Sequence, residues 1–479
     1  MSEKWVVLKF GGSSVRGIQQ WRAIAACVQA RRAEGFRVLV VCSAIEGITN
    51  LLEAITRAPV NQALFDQFVE RHAAFADELG IDGRAWIDKA AGRLKTLCDE
   101  LDGNAPPPRA AEILALGEWL STRLGWVRLN REFATEWVDV RGLLEVRPEP
   151  EHAERRRWLS AECTPGADTS MLAGLNGCAP VVITQGFIAA MPGGGTALLG
   201  RGGSDTSAVL LGGRISAERV EIWTDVPGLF SADPRLVPNA RLLCRLDYAE
   251  TLEMAASGAG VIHARCLRAA AETGTPIWIR DTARPNIGGT LIDGKAAALS
   301  GPKAVLRQGG MAVLLLQNID PRQQVGFLAW VFDTVAKRGI SIDLVATSET
   351  TTTIALNCRA NHLEQADLAS LGDALRSRCK VAVFEDCVTV NVVGRGVHSA
   401  LPRLAPAFDR LGEGSLLMLS QSANDLCLSM LVRAGDELDL LRAVHTAVVP
   451  ADSESALFGP SWEALEIEAS PPVAAGSEA

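Results

Sequence analysis

Short, uninterrupted apolar runs recur along the first three hundred residues. The run at 5–10 (WVVLKF) ends in a glycine turn, a helical pattern covers about 19–32, and a second β-branched run (RVLVVC) covers 37–42. Strands that are apolar on both faces are typical of parallel sheets covered by helices. Similar runs lie at 136–140, 181–184, 220–224 and 276–280, and a long helical pattern at about 61–129 is broken by three prolines at 106–108. The pattern predicts an α/β domain with a mostly parallel sheet over residues 1–300.

The rhythm of the pattern changes after residue 301. Alternating strand-like and helical segments lie at 311–317, 326–338, 341–347, 352–357 and 363–377, and a second set lies at 379–384, 388–393, 399–411, 416–420, 426–432 and 437–447. Two βαββαβ-type units of about 75 residues each indicate an internal repeat whose members pair side by side. We expect two ferredoxin-like domains at 301–379 and 380–460, followed by a disordered tail at 461–479.

Composition and charge narrow the class of function. The 479 residues carry a net charge of -9, which gives no basic surface for nucleic acid. No apolar run is long enough to cross a membrane, and the N-terminus lacks a signal-peptide pattern. The 11 cysteines are scattered without a CxxC pair, which favours reduced thiols and no metal site. We expect a cytoplasmic protein with a small-molecule site and no nucleic-acid or membrane partner.

Lys9 lies where the first predicted strand meets a glycine turn (KFGGSS). Backbone N–H groups and a helix N-terminus at such a turn can receive phosphate oxygens, and the lysine adds positive charge. A glycine turn between strand and helix is also a common structural feature, and the Walker pattern is absent. The motif alone therefore leaves both interpretations open.

A second glycine-rich segment covers 200–207 (GRGGSDTS). Its glycines would let a ligand approach the backbone, Arg201 could clamp a carboxylate through two hydrogen bonds, and Asp205 could hold an ammonium group. The alternative is a tight turn with an exposed salt bridge.

Two further segments carry candidate chemistry. The stretch 224–235 (TDVPGLFSADPR) follows an apolar strand, where α/β sheets bind ligands at their carboxyl ends, and its charged residues suit a nucleotide-facing loop. Glu118 lies on a helix among apolar neighbours. It is either a solvated charge on the helix face or a group that binds an ammonium.

The motifs KFGGSSV, SAIEGITN, LGEWLST, ITQGF, GRGGSDTSA and TDVPGLFSADPR occur together in this order and resemble the aspartate kinase family of amino-acid kinases. The stretch GFLAWVFDTVAKRGISIDLVATSE resembles the first ACT domain of that family, and LSQSANDL resembles the second. The sequence of these motifs is most similar to the kinase half of fused aspartate kinase–diaminopimelate decarboxylases. The resemblance implies a three-layer amino-acid kinase fold, two ACT domains, and phosphorylation of the side-chain carboxylate of L-aspartate by ATP with Mg²⁺ in lysine, threonine and methionine biosynthesis.

The resemblance also implies a role for individual residues. The catalytic residues would be Lys9, at the γ-phosphoryl group, and Asp205. The residues that bind aspartate would be Ser43 and Thr49 at the side-chain carboxylate, Glu118 and Asp205 at the α-ammonium, and Arg201 at the α-carboxylate. The residues that bind ATP would be Lys9, Gly11, Gly12, Gly202, Gly203, Ser204, Thr224, Asp225, Phe230 and Arg235. An inhibitory amino acid, typically lysine, would contact Ser341, Asp343, Thr347, Ser348 and Glu349, in a homodimer formed through the ACT domains.

Three departures from the family pattern keep alternatives open. Gly260 occupies the position of a family lysine expected near the ATP phosphates, and Arg265 or Arg235 could compensate for it. Glu46 adds a charge to a turn that usually carries small residues. The segment 142–158 lacks the usual family sequence. The alternatives are a kinase for another amino-dicarboxylate and a catalytically weak, amino-acid-sensing regulatory subunit.

Overall fold

The computed structural model describes residues 4–57, 62–99, 101, 103–295, 300–318, 325–412, 414–449 and 457–469. The chain divides into two compact units. The first unit consists of Met1–Leu229, Cys244–Leu252 and Gly260–Ala296, and the second consists of Phe230–Leu243, Glu253–Ala259 and Ala297–Ala479. The domain limits expected from the sequence stay a prediction.

The described strands and helices are named in chain order. The strands are β1 (Trp5–Phe10), β2 (Arg37–Cys42), β3 (Thr135–Trp137), β4 (Val181–Gln185), β5 (Ile188–Ala190), β6 (Thr196–Leu198), β7 (Arg219–Thr224), β8 (Arg241–Leu243), β9 (Arg245–Leu246), β10 (Ile277–Asp281), β11 (Thr290–Ile292), β12 (Gly301–Asn318), β13 (Leu344–Thr347), β14 (Thr351–Asn357), β15 (Cys379–Arg395), β16 (Leu416–Gln421), β17 (Cys427–Arg433) and β18 (Phe458–Ser461). The α-helices are α1 (Ile18–Ala33), α2 (Ile48–Arg57), α3 (Gln62–Glu78), α4 (Arg84–Asp99), α5 (Pro107–Leu129), α6 (Glu154–Leu159), α7 (Thr169–Asn176), α8 (Gly203–Arg214), α9 (Tyr248–Ala256), α10 (Ala264–Thr273), α11 (Phe327–Ala336), α12 (Gln365–Leu375), α13 (Leu401–Phe408), α14 (Glu437–Val448) and α15 (Trp462–Ala469).

The first unit is built on an eight-stranded sheet of order β3-β4-β2-β1-β7-β10-β11-β9. The pairs from β3 to β10 are parallel, and β11 runs antiparallel to β10. The central strand β1 is buried at all six positions because both of its faces are covered. The predicted α/β fold with a mostly parallel sheet is confirmed.

The long helical pattern of the first unit is three helices rather than one region broken at the prolines. α3 ends at Glu78 and α4 begins at Arg84, where the Asp82 carboxylate accepts a hydrogen bond from the Arg84 N–H at 3.2 Å. An acceptor just ahead of a helix satisfies one of its free N–H groups and favours a new start there. α5 then begins after Pro106, as the proline cluster predicted.

The second unit contains a six-stranded antiparallel sheet of order β13-β14-β12-β15-β17-β16. Its two long central strands serve both predicted repeats, because the first half of β12 pairs with the second half of β15 and the reverse. The runs 379–384 and 388–393, expected as separate strands, are therefore one strand. Apolar side chains of α11 and α12 pack against β12 and β14. The expected ferredoxin-like ACT arrangement is confirmed, and its two units share one sheet.

The end of the described chain is ordered. β18 pairs with β8, and α15 follows directly after it, within the range expected to be a disordered tail. Residues 470–479 of that range lie outside the described residues. Across the described ranges, no helix has the length and apolarity needed to cross a membrane. All 11 cysteines of the sequence are free thiols.

Candidate active site

A cavity of about 410 Å³ lies in the first unit, where β1 and β2 end and α8 begins. It is positioned by the parallel sheet, since the carboxyl ends of adjacent parallel strands meet at one edge. Ten residues that the sequence marked for substrate or nucleotide line it: Lys9, Gly11, Gly12, Ser43, Thr49, Glu118, Gly202, Gly203, Ser204 and Asp205.

The charged centre of the cavity is an ion pair. The Lys9 Nζ lies 2.5 Å from the Asp205 Oδ1, and the two side chains are 10% and 14% exposed. Lys9 is the fifth residue of β1, and Asp205 lies in the first turn of α8. A strand end and a helix start thus bring opposite charges together at the cavity wall.

Glycine backbone forms the wall beside this pair. Gly202 has a left-handed φ of 66° and immediately precedes α8, and a Cβ there would lie 2.5 Å from the His263 Cβ. A Cβ at Gly12 would lie 3.1 Å from the Ala44 carbonyl oxygen. A side chain at either glycine would crowd this wall, and the positive end of the helix dipole at the start of α8 favours an anion there.

Glu118 lies on α5 and is only 3% exposed. Burial raises the pKa of its carboxyl to about 8, although a hydrogen bond from the Ala44 backbone opposes the shift. Its Oε2 is buried and has no hydrogen-bond partner. Of the two interpretations that the sequence allowed, the solvated surface charge is wrong. A buried, unsatisfied carboxyl that faces a cavity suits a cationic ligand.

The turn after β2 forms the opposite wall. The Ser43 carbonyl accepts a hydrogen bond from the Ser121 hydroxyl at 2.9 Å, which fastens this turn to α5. Thr49 lies in the first turn of α2. Glu46 lines the cavity as well, and its carboxylate pairs with Arg16 at 3.3 Å. The extra charge noted in the sequence is thus partly balanced on the protein surface.

The remaining predicted residues lie outside the wall of this cavity. Arg201 is exposed in the turn before α8. Thr224 is the last residue of β7, and its hydroxyl donates a hydrogen bond to the carboxylate of Asp225 at 3.1 Å. Phe230 and Arg235 belong to the second unit. The roles proposed for these five residues stay predictions.

Phe187 and Asn50 line the cavity without having been singled out from the sequence. Phe187 is a non-glycine residue with a φ of 67°, held by a hydrogen bond from its N–H to the Ser207 hydroxyl at 2.9 Å. Such strain is typical of functional sites. Both residues belong to motifs quoted above, ITQGF and SAIEGITN. The order of these motifs could therefore have identified them as site residues.

Arg265 does not fill the role of the absent lysine at Gly260. Its guanidinium donates to the Ser160 carbonyl and hydroxyl and to the Leu199 carbonyl, at 2.9 to 3.3 Å. It therefore anchors the chain just before Gly200. Gly260 itself has a φ of 63°, which favours glycine over lysine at this position.

The residues predicted to bind a regulatory amino acid lie at and around β13 in the second unit. Asp343 accepts a hydrogen bond from the Asn357 N–H at 2.8 Å and lines a cavity of about 270 Å³. The Ser348 and Thr351 hydroxyls hydrogen-bond at 2.8 Å across the turn between β13 and β14. Ser341, Thr347 and Glu349 are exposed and do not line that cavity.

Comparison with known proteins identifies the family that the motifs indicated. Residues 4–281 match the amino acid kinase family, which is more than half of the chain. The lysine-sensitive aspartokinase 3 of Escherichia coli (strain K12) is 32% identical over 455 residues, covering 92% of this chain and 98% of that protein. The aspartokinase of Schizosaccharomyces pombe is 26% identical over 503 residues, covering 93% and 92%.

Solved structures agree as well. Escherichia coli aspartokinase III in complex with aspartate and ADP has a TM-score of 0.75 at 30% identity, covering 93% of this chain and 100% of that one. The same enzyme with lysine and aspartate has a TM-score of 0.73 at 29% identity, covering 93% and 99%. Because sequence, fold and cavity agree, this chain belongs to the aspartokinases of the amino acid kinase family.

Proposed function

We propose that this chain transfers the γ-phosphoryl group of ATP to the side-chain carboxylate of L-aspartate and forms 4-phospho-L-aspartate. The observation that carries the proposal is one cavity that combines a buried cation, Lys9, the N-terminus of α8 and the buried carboxyl of Glu118. An enzyme of similar sequence and fold, from Escherichia coli, has been solved with aspartate and ADP.

The reaction needs no general base, because the attacking carboxylate is already ionised at neutral pH. It needs two anions held in line and positive charge around the transferred phosphoryl group. Lys9 and the N–H groups at the start of α8 supply that charge. Removal of one such preorganised group typically lowers the rate by about 10²–10³.

Mg²⁺ enters as the MgATP substrate complex. Among the described residues, no three His, Cys, Asp or Glu side chains gather in a way that would hold a metal ion. Mg²⁺ usually keeps several waters and is held largely by substrate phosphates, so the ion would be carried mainly by the phosphate oxygens of ATP.

Aspartate is recognised by opposite charges at its two ends. Glu118 and Asp205 bind the α-ammonium, and Ser43 and Thr49 donate to the side-chain carboxylate. Arg201 closes on the α-carboxylate from its exposed turn, while Thr224, Asp225, Phe230 and Arg235 serve the nucleotide. An analogue that lacks the α-ammonium leaves a buried carboxyl unpaired, and this gives the selectivity.

Trapping of the acyl phosphate with hydroxylamine tests the reaction. Purified chain with MgATP and aspartate is expected to form aspartyl hydroxamate, with no product when ATP or aspartate is omitted. Product with glutamate or 2-aminoadipate but not with aspartate would favour a kinase for another amino-dicarboxylate. Calorimetric binding of aspartate and ATP without product would favour the weak regulatory subunit and contradict the proposal.

The second unit has the regulatory role in this proposal, with lysine as the inhibitor. A relative of this chain is named a lysine-sensitive aspartokinase, and Asp343 offers a carboxylate for a cationic ligand. We expect lysine to inhibit the kinase and Glu349→Ala to weaken that inhibition while the uninhibited rate is kept. Unchanged inhibition in Glu349→Ala and in Asp343→Asn would contradict this site.

A homodimer through the second unit completes the proposal. Leu328 and Phe332 on α11 and Val345 on β13 are 37–39% exposed apolar side chains, and β13 is an edge strand. Such a surface is typical of an interface between copies. Light scattering after gel filtration is expected to show a dimer for the parent chain and a monomer for Phe332→Lys. A monomeric parent chain would refute the assignment.

The free cysteines favour a cytoplasmic location, and cell fractionation tests this location.

A further inference from the structure

A second cavity of about 400 Å³ lies in the first unit between α4 and α5. It shares no lining residue with the candidate active site. Lys89 and Arg93 of α4 form one side, Trp119 and Arg123 of α5 form another, and Trp137 and Arg141 close the far end. A cavity of this size, with aromatic walls and a few polar groups, has the character of a small-molecule site.

Arg123 is the unusual group in this cavity. Its guanidinium carbon lies 3.3 Å from the centroid of the Trp137 ring, 4.4 Å from that of Trp86 and 5.7 Å from that of Trp119. The described part of the chain offers it no hydrogen bond or salt bridge, and its Nε is buried without an acceptor. Indole rings thus hold the guanidinium in place while its N–H edges stay available for an acceptor.

The two acidic groups of the cavity are already paired. Glu112 pairs with Arg93, and Asp139 accepts two hydrogen bonds from the Arg141 guanidinium, at 3.0 and 2.6 Å. Arg141 also donates to the Thr196 hydroxyl at 3.1 Å. Neither acid is therefore engaged with Arg123 by a hydrogen bond.

Lys89 also has no ion pair with the described residues, and its Nζ lies 5.8 Å from the centroid of the Trp119 ring. Lys89 and Arg123 thus leave the cavity with an excess of positive charge beside indole walls. Inorganic anions would use this charge but not the apolar walls, which also include Ala115 and Leu116. An anion with a flat apolar body uses both.

We propose that this cavity binds a small aromatic carboxylate. Its carboxylate is held by the Arg123 guanidinium with help from Lys89, and its ring lies against Trp119 and Trp137. The site is separate from the kinase cavity, so it does not depend on the proposed reaction.

Benzoate serves as the probe, with its neutral analogue benzamide and inorganic phosphate as comparators. Binding to the full chain is followed by calorimetry and by tryptophan fluorescence, to which Trp119 and Trp137 contribute among the 11 tryptophans of the sequence. Benzoate is expected to bind saturably. Benzamide, which lacks the charge, and phosphate, which lacks the ring, are each expected to bind at least about tenfold more weakly.

Variants locate the site. Arg123→Met is expected to weaken benzoate binding by about tenfold or more. Lys89→Met, at an exposed position that does not threaten folding, is expected to weaken it severalfold, and Arg84→Met, exposed on the same helix, to leave it unchanged. Equal binding of benzoate and benzamide, equal binding of benzoate and phosphate, no binding of benzoate, or unaltered binding in both Arg123→Met and Lys89→Met would each overturn the proposal.

Discussion

The ammonium of Lys9 and the carboxylate of Asp205 form a nearly buried ion pair, 2.5 Å apart, across 196 positions of the sequence. Each group of the pair compensates the charge of the other. In the proposed reaction, phosphate oxygens compete for Lys9, and the substrate ammonium competes for Asp205. The same two residues thus provide a charge for each of the two substrates.

Lys9→Ala is expected to lower kcat by at least about 100-fold, because it removes a preorganised positive charge from the transferred phosphoryl group. The measurement is the steady-state hydroxamate rate at saturating aspartate and MgATP. Lys4→Ala is the matched control, since Lys4 lies just before the same strand and pairs with the exposed Glu218. A near-normal kcat in folded Lys9→Ala would remove Lys9 from the reaction.

Glu118 is expected to make aspartate binding depend on pH. Its pKa of about 8 means that the carboxyl is mostly protonated at pH 6 to 7 without substrate. An ammonium prefers the ionised form, so the KM for aspartate should fall as pH rises towards 8, by up to about tenfold per pH unit well below the pKa. Kinetics from pH 6 to 8.5 measure this.

Glu118→Gln provides the control for that pH profile. The variant is expected to raise the KM for aspartate and to remove its dependence on pH over this range. The variant should also be more stable than the parent at pH 8.5. When folding raises the pKa of a carboxyl, the folded protein loses stability as the pH rises through that raised pKa. A parent KM that does not change with pH would contradict contact between Glu118 and the ammonium.

Gly202→Ala is expected to lower kcat/KM and the melting temperature together. The added Cβ would meet the His263 side chain, and alanine is strained at the observed φ of 66° by about 1–2 kcal/mol. Gly274→Ala is the matched control, because Gly274 has the same φ and no atom within 4 Å of its Cβ position. Equal kcat/KM in the two variants would argue against a close approach at Gly202.

Two buried histidines are expected to destabilise the fold in acid. Burial lowers the pKa of His72 and of His445 to about 4. A histidine whose folded pKa lies below its ordinary value takes up its proton on unfolding, so stability is lost as pH falls from about 6.5 towards 4, on the order of 3 kcal/mol per group.

Melting temperatures between pH 8 and 4.5 measure this loss. His72→Met and His445→Met are expected to be less stable than the parent at pH 8 but to lose less stability on acidification. Parallel pH profiles in the parent and the two variants would show that other groups dominate acid unfolding.

The sequence alone determined the positions of the strands around the active site and the strand ends at which the candidate site residues lie. The runs at β1 and β2 were predicted to the residue because strands buried on both faces must be continuously apolar. The glycine turn after β1 marked one of these ends as a place where a ligand can approach the backbone, and the order of the motifs indicated the family. Lys9 and Glu118 were therefore identified as candidates before any geometry was known.

Only the tertiary structure decided the environment of each side chain. Whether Glu118 is solvated or buried depends on the turn after β2 that packs onto α5, and the hydrogen bond that joins the two spans 78 positions of the sequence. The partner of Lys9 and the unpaired state of Arg123 depend in the same way on segments that folding brings together. In the second unit, the two predicted repeats share long strands because hydrogen bonding between β12 and β15 continues across both. Local pattern determines secondary structure, whereas burial and charge pairing arise from long-range contacts.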